Sequence, residues 1–282
     1  MKSDCHMHMV LDGVEWRSAI ARHKNGPDVS FIRATLARYQ ELGYAYLRDG
    51  GDRWGACAMA RALAPEYGIC YRTPLAPLCK AGHYGAFIGE KYENLREYAG
   101  LVKKTRKNGG DFIKIMISGL MDFDHAGVLT EEGYPASEIC ELVHIAHEEG
   151  FSVMAHCNGA AAIRAAAESG VDSVEHGAYA DDGALAAMVE NKTVWVPTLS
   201  TVGNLRGKGR FREEAVAAIF ADTSEKLRRF AALGGLIACG SDAGAWAVPH
   251  DADTEETLLI SVLGPGAEDI LARGTAIIRE KF

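Results

Sequence analysis

Short apolar runs alternate along this chain with longer stretches whose apolar residues recur every third or fourth position. The first pattern is that of strands buried on both faces, the second that of helices burying one stripe. Eight runs read as strands, beginning in DCHMHMV, YAYLRDG, GICYRTP, DFIKIMIS, FSVMAHC, VDSVEHG, TVWVPTL and GLIACGSD. Helical patterns follow them at roughly 30–42, 55–67, 91–107, 135–149, 158–169, 181–191, 213–233 and 254–263. Pro135 stands where a helix should start, and Gly43, Gly150 and Gly234 stand where helices should end. Repeated strand–helix units predict a parallel sheet. Eight of them, with no Pro- or Ser-rich linker between, predict one domain over 1–282, an α/β protein of the (β/α)8 TIM-barrel class. An open doubly wound sheet is the weaker alternative, because no glycine fingerprint follows the first strand.

Composition narrows the function. The chain has 282 residues, 48% hydrophobic and 24% charged, which is ordinary for a globular protein. The net charge of −8 and the scattering of the 30 basic residues argue against a nucleic-acid or acidic-membrane partner, since phosphate binding needs a concentrated basic face. No apolar run approaches the ~20 residues of a membrane helix. The N-terminus also lacks the basic and apolar regions of a signal peptide. The seven cysteines are widely spaced and include no C-x-x-C pair. They are expected to be reduced thiols in a cytoplasmic protein, neither disulfides nor zinc ligands.

In a barrel, chemistry collects at the C-terminal ends of the strands. His6 and His8 lie two apart on the first strand and therefore face one side. His156 ends the fifth strand, His176 the sixth and Asp242 the eighth, while Lys114 lies within the fourth. All but the lysine are ordinary metal ligands. Scattered core histidines would not favour one end of each strand, so the pattern predicts a metal site. Alternation puts Phe112, Lys114 and Met116 on the inner face and Ile113, Ile115 and Ile117 toward the helices. A buried ammonium is costly and its pKa falls. That leaves Lys114 two roles. It either pairs with Asp242 or Asp49, or its neutral amine takes up carbon dioxide to become an anionic carbamate with two oxygen ligands.

These residues resemble the amidohydrolase superfamily, and FIKIMISG, AHEEGFSVMAHCNGAAAIRAAAESGVDSVEHG, VPTL and CGSDAG resemble its prolidase-like and imidazolonepropionase-like branch. The resemblance spans the whole barrel. It implies a binuclear centre with two zinc ions per chain, one held by His6 and His8, the other by His156 and His176. Carboxylated Lys114 would bridge them, and Asp242 would bind the first metal and the attacking water. It further implies hydrolysis of an amide or peptide C–N bond in a small substrate such as a dipeptide or N-acyl amino acid, with Asp242 shuttling the proton. A mononuclear deaminase or cyclic amidase, a lactonase or phosphotriesterase, and a catalytically silent barrel kept as a binding module are the alternatives. SGLMD replaces the more usual double-glycine turn and GSDAG replaces GTDAG, and neither change removes a ligand. Relatives commonly carry a flanking β-sandwich, which this chain is expected to lack because it starts at the first strand and stops soon after the last helix.

For the substrate, Arg48 at the end of the second strand is suited to a bidentate carboxylate contact, with pairing to Asp49 or Asp52 as the alternative. His83 and Tyr84, in the loop PLCKAGHYGAFIGE, are read as substrate-binding, since a similar loop in relatives contributes a histidine to the pocket. His125, Arg206 and His250 are placed at the rim, and His144 and His147 are set aside on a helix. STVGNLRGKGRFRE lacks the Walker spacing of a phosphate cradle and is read as a mobile lid. The expected partner is a small molecule, and homo-oligomerisation is left open.

Overall fold

The protein, described by a computed structural model over residues 2–250 and 253–282, alternates strands and helices almost throughout. The first half comprises β1 (Lys2–Met7), α1 (Trp16–His23), α2 (Val29–Glu41), β2 (Tyr44–Asp49), α3 (Ala56–Leu63), β3 (Cys70–Arg72), β4 (Leu78–Lys80), β5 (Glu90–Tyr92), α4 (Leu95–Lys107) and β6 (Ile113–Met116). The second comprises α5 (Ala136–Glu148), β7 (Val153–Cys157), α6 (Ala160–Glu168), β8 (Ser173–His176), α7 (Asp182–Glu190), β9 (Val194–Val196), α8 (Ser200–Gly203), α9 (Glu213–Ala232), β10 (Leu236–Ile237), α10 (Thr254–Leu263) and α11 (Ala267–Lys281). Local chemistry sets several boundaries. The side chains of Asp28, Asn94 and Asp181 each accept from a backbone N–H in the first turn of α2, α4 and α7.

The strands pair in parallel in two sheets, β1-β2-β3 and β10-β9-β8-β7-β6-β4-β5. Backbone hydrogen bonds join the two. Cys5 N donates to Cys239 O (2.9 Å), Asp242 N to His6 O (2.7 Å) and His8 N to Ala243 O (2.7 Å). On the far side Asp111 N donates to Thr73 O (2.9 Å). The result is a TIM-barrel-like α/β fold. All eight predicted strands are present, and β4 and β5 are an addition that frames the loop at 81–89.

Side-chain alternation sorts the interior from the helix layer. Ile113, Ile115 and Ile117 pack with Leu142, Val143 and Ile163 of α5 and α6. Phe112 instead joins Cys5, Tyr46, Met154, Val196 and Ala238 inside the strands, with Ile278 and Phe282 beneath them. The Phe282 ring lies edge-on to Phe112 at 5.1 Å between centroids. The tail of α11 therefore plugs the foot of the fold.

That helix corrects the expectation that the helices end at 263. Gly274 interrupts its pattern, and a glycine inside a helix weakens the signal. The same residue lets α11 lie directly on β10, where a Cβ would come within 2.0 Å of Ile237 O. α1 was missed as well, being a single short helix of eight residues. All seven cysteines are free, and among the described residues no helix is long and apolar enough to cross a membrane.

Candidate active site

β1 delivers His6 and His8 side by side at its C-terminal end, with their Nε2 atoms 3.3 Å apart. Asp242, on the segment after β10, brings Oδ1 to 3.6 Å from His6 Nε2 and 3.2 Å from His8 Nε2. These three form the compact group of potential ligands among the described residues, their atoms all within 4.8 Å of one another. His176 lies beside them, its ring centroid 5.2 Å from that of His6, and His156 is 4.5 Å beyond it. Lys114 completes the cluster from β6. All six are buried.

Two of these residues depend on an unusual backbone. Glu175 points into the interior beside Arg48 and His6, so simple alternation would turn its neighbour His176 out toward the helices. His176 instead adopts φ 66°, in the left-handed region, and swings back to the mouth. Trp195 Nε1 holds the carbonyl of His176 at 2.8 Å. Asp242 also sits at φ 59°. Such conformations cost about 1–3 kcal/mol each and persist where the surroundings enforce them, most often at functional sites. Two glycines make room for the histidines. A Cβ on Gly50 would lie 2.3 Å from His8 Cε1, and one on Gly240 would lie 2.8 Å from His6 N.

Hydrogen bonds decide which ring nitrogen each histidine offers. His156 Nε2 faces the carbonyl of Gly119 at 3.2 Å and must donate, leaving Nδ1 bare. Thr198 Oγ1 donates to Pro197 O (2.8 Å) and lies 2.6 Å from His176 Nδ1, so it accepts there and Nε2 of His176 is bare. Burial pushes the His156 pKa down to about 3, and His6 and His176 also fall well below the ordinary histidine range, chiefly by burial. The rings are therefore neutral, as a ligand must be. Burial lowers Lys114 to about 8, with Glu175 and Asp242 opposing. Its Nζ has no hydrogen-bond partner among the described residues, so the expected pairing with Asp242 or Asp49 does not form. The carboxylate of Asp49 is taken by Met9 N, Gly51 N and the Tyr71 hydroxyl. An orphaned buried amine beside neutral imidazoles and a carboxylate fits a cation site, because each of these groups lacks what a cation or its bridging ligand would supply.

Arg48 corrects another expectation. It is fully buried, donating to Cys5 O (2.6 Å), Ser173 Oγ (2.9 Å) and Glu175 Oε1 (2.9 Å), and its guanidinium covers the Phe282 ring at 4.4 Å. Buried and held by three acceptors, it lies inside the fold, and its ion pair is with Glu175 rather than with Asp49 or Asp52. Tyr84 lies against the cluster, while His83 sits beside Glu131 and the Tyr134 ring. The Tyr84 ring is tilted by 37° to that of His156 with centroids 4.8 Å apart, and burial raises the pKa of its phenol. Glu131, from the loop after β6, binds His83 Nδ1 and accepts from Tyr84 N (2.9 Å). His125 is exposed and paired with Asp122. His250 contacts Leu11 O (2.9 Å), Arg206 covers Phe220 at 4.8 Å, and His147 lies 3.4 Å from Asp172. The segment read as a lid is tethered at its start, and its stretch 206–210 is exposed. Its first turn is α8, whose leading amides at Leu199 and Ser200 are held by Glu255, and Arg210 stacks on Trp246 at 4.1 Å.

Sequence reading passed over Glu175, Glu131, Thr198 and Asn158. Asn158 ties Gly119 O to Ala178 N and so steadies the carbonyl that orients His156. For Glu175 a signal existed, because a carboxylate two residues from Ser173 on an inward strand face needs a buried partner. A cavity of about 600 Å3, lined by Lys2, Tyr44, Cys239, Glu268 and Arg279 among others, lies elsewhere, and none of the converging residues borders it.

No family model matches the chain. In sequence it is similar to the ochratoxinase of Aspergillus niger, 25% identical over 283 residues that take in 85% of this chain and 56% of that protein. The chain thus spans about half the length of the curated relatives it matches. Among solved structures, A. niger ochratoxinase superposes with a TM-score of 0.80 at 20% identity, covering 98% of this chain and 70% of that one. An amidohydrolase gives 0.78 at 23% identity, covering 99% and 73%. A Xaa-Pro dipeptidase with methionine bound in its active site gives 0.76 at 21% identity, covering 99% and 75%.

Proposed function

We propose that this chain, an amidohydrolase by fold and by its likeness to ochratoxinase and dipeptidase, is a metal-dependent hydrolase of an amide or peptide C–N bond in a small substrate. The observation that carries this reading is the convergence of His6, His8 and Asp242 beside the orphaned amine of Lys114. His6, His8 and Asp242 would hold one divalent cation, zinc foremost. His156 through Nδ1 and His176 through Nε2 would hold a second, with carboxylated Lys114 between the two. Such a cation supplies Lewis acidity, lowering the pKa of water toward 7 and polarising a carbonyl.

The chain's own residues do the rest. Asp242 takes the proton of the attacking water at its carboxylate and passes it to the departing nitrogen, a base that becomes an acid. Tyr84, lying against His156, and His83, braced by Glu131, form the wall against which the acyl or amino-acid portion rests. The backbone hydrogen bonds that join the two sheets support this reading by tying β1 to the stretch after β10, which carry His6, His8 and Asp242. Among the relatives' names, the Xaa-Pro dipeptidase favours dipeptides, and N-acyl amino acids carry the same scissile amide bond.

Asp242→Asn tests the proton shuttle. Asparagine tolerates the left-handed backbone here, so metal content should stay near that of the parent while turnover falls about 10²- to 10⁴-fold. Cleavage at the parent rate would refute the role. A screen of dipeptides and N-acyl amino acids with elemental analysis tests the whole assignment, and a cation-loaded chain that turns over none of them would overturn it. Because, among the described residues, only His6, His8 and Asp242 gather within 4.8 Å, a one-metal deaminase or cyclic amidase is the second reading, and one cation per chain would favour it.

A further inference from the structure

Beneath the site lies a buried ion pair that the proposed chemistry does not use. Arg48 and Glu175 are both fully buried inside the barrel, from β2 and β8. Glu175 Oε1 receives Arg48 Nη2 (2.9 Å) and Ser173 Oγ (2.5 Å), while Oε2 stands 2.8 Å from His6 Nδ1, an ion-pair distance not aligned as a hydrogen bond. Neither Oε2 nor Nδ1, both buried, has a hydrogen-bond partner among the described residues. Burying two opposite charges is seldom worth its desolvation cost for stability alone. We infer that Glu175 is a positioning residue that holds His6 in the Nδ1–H form, so that Nε2 faces His8 and Asp242 with a free lone pair, and that Arg48 keeps Glu175 turned that way. The inference rests on the metal-site reading, in which His6 Nε2 is a ligand atom. A carboxylate on the far nitrogen of a ligating histidine fixes its tautomer and raises its basicity.

The two ends of Glu175 are not equivalent, and a single atom exchange exploits this. Arg48 offers only donors. In Glu175→Gln the amide oxygen must therefore turn to Arg48, leaving the NH2 group against His6 Nδ1. That nitrogen then has to accept, and the His6 proton moves to Nε2, where a metal cannot bind. Removing Arg48 as well, in Arg48→Met/Glu175→Gln, frees the amide to rotate and present its oxygen to His6.

Zinc affinity of the full chain, measured by competition with a chromophoric chelator, should weaken about 10- to 100-fold in Glu175→Gln. The double variant should recover part of that loss, although it carries one more substitution. A purely structural pair predicts the opposite order, with the double variant no better than the single. Parent-like zinc affinity in Glu175→Gln, or no recovery in the double variant, would overturn the inference. Nitrogen-15 spectra of the histidine-labelled parent without metal test the tautomer directly, whatever the folding of the variants. A protonated Nδ1 and bare Nε2 on His6 support the assignment, and the reverse refutes it. A parent that binds no zinc would sink the metal-site reading, while those spectra would still decide the tautomer.

Discussion

At Gly50 the absence of a side chain decides how near His8 can come to its neighbours. The ring occupies the space a β-carbon would fill, 2.3 Å from His8 Cε1. Its backbone is not in the left-handed region, so Gly50→Ala should fold yet displace the ring. The expected outcome is unchanged circular dichroism with a reduced metal content per chain by elemental analysis. At this scale the strand period made His6, His8, Lys114 and His156 readable, since inward facing follows from spacing alone. His176 was readable only as a strand end, because its aim comes from a left-handed backbone that no local pattern announces. Arg48 was misread for a different reason. Its partner Glu175 lies 127 residues away, and only folding brings the two together.

Between elements, the loop after β9 owes its anchoring to α10. Glu255 of α10 is buried, and its carboxylate accepts from Leu199 N (2.9 Å) and Ser200 N (2.6 Å) at the start of α8. Burial raises its pKa from 4.5 to about 7, with the two amide hydrogen bonds opposing. An acid whose pKa is higher folded than unfolded binds its proton more tightly in the native state. Its contribution to stability is therefore full below about pH 4.5 and is lost as pH rises through about 7. Glu255→Gln removes this term, so the melting temperature of the parent relative to the variant should decline between those limits, followed by thermal denaturation at stepped pH. A variant curve parallel to the parent's would show that Glu255 does not titrate in that window. Helix positions were largely readable because amphipathic spacing and caps are local. Helix α11 was not, since its interrupting Gly274 makes sense only against β10.

For the molecule as a whole, the alternation of strands and helices was enough to give a parallel α/β fold of TIM-barrel type. Strands β4 and β5 and the plug at Phe282 were invisible for a shared reason, being short or terminal features stabilised by what they pack against. The hydrogen bonds from Cys5, Asp242 and His8 that join β1 to the stretch after β10 carry a larger consequence. His6 and His8 lie at the end of β1 and Asp242 in the stretch after β10, more than 230 residues on, so a single cation grasped by all three would rivet two distant parts of the sequence together. Loading zinc should then slow deuterium uptake at the amides of Cys5, His8 and Asp242 more than elsewhere, and raise the unfolding temperature with the logarithm of free cation. Uniform protection, or none, would mean that the ion grips one side of that join alone.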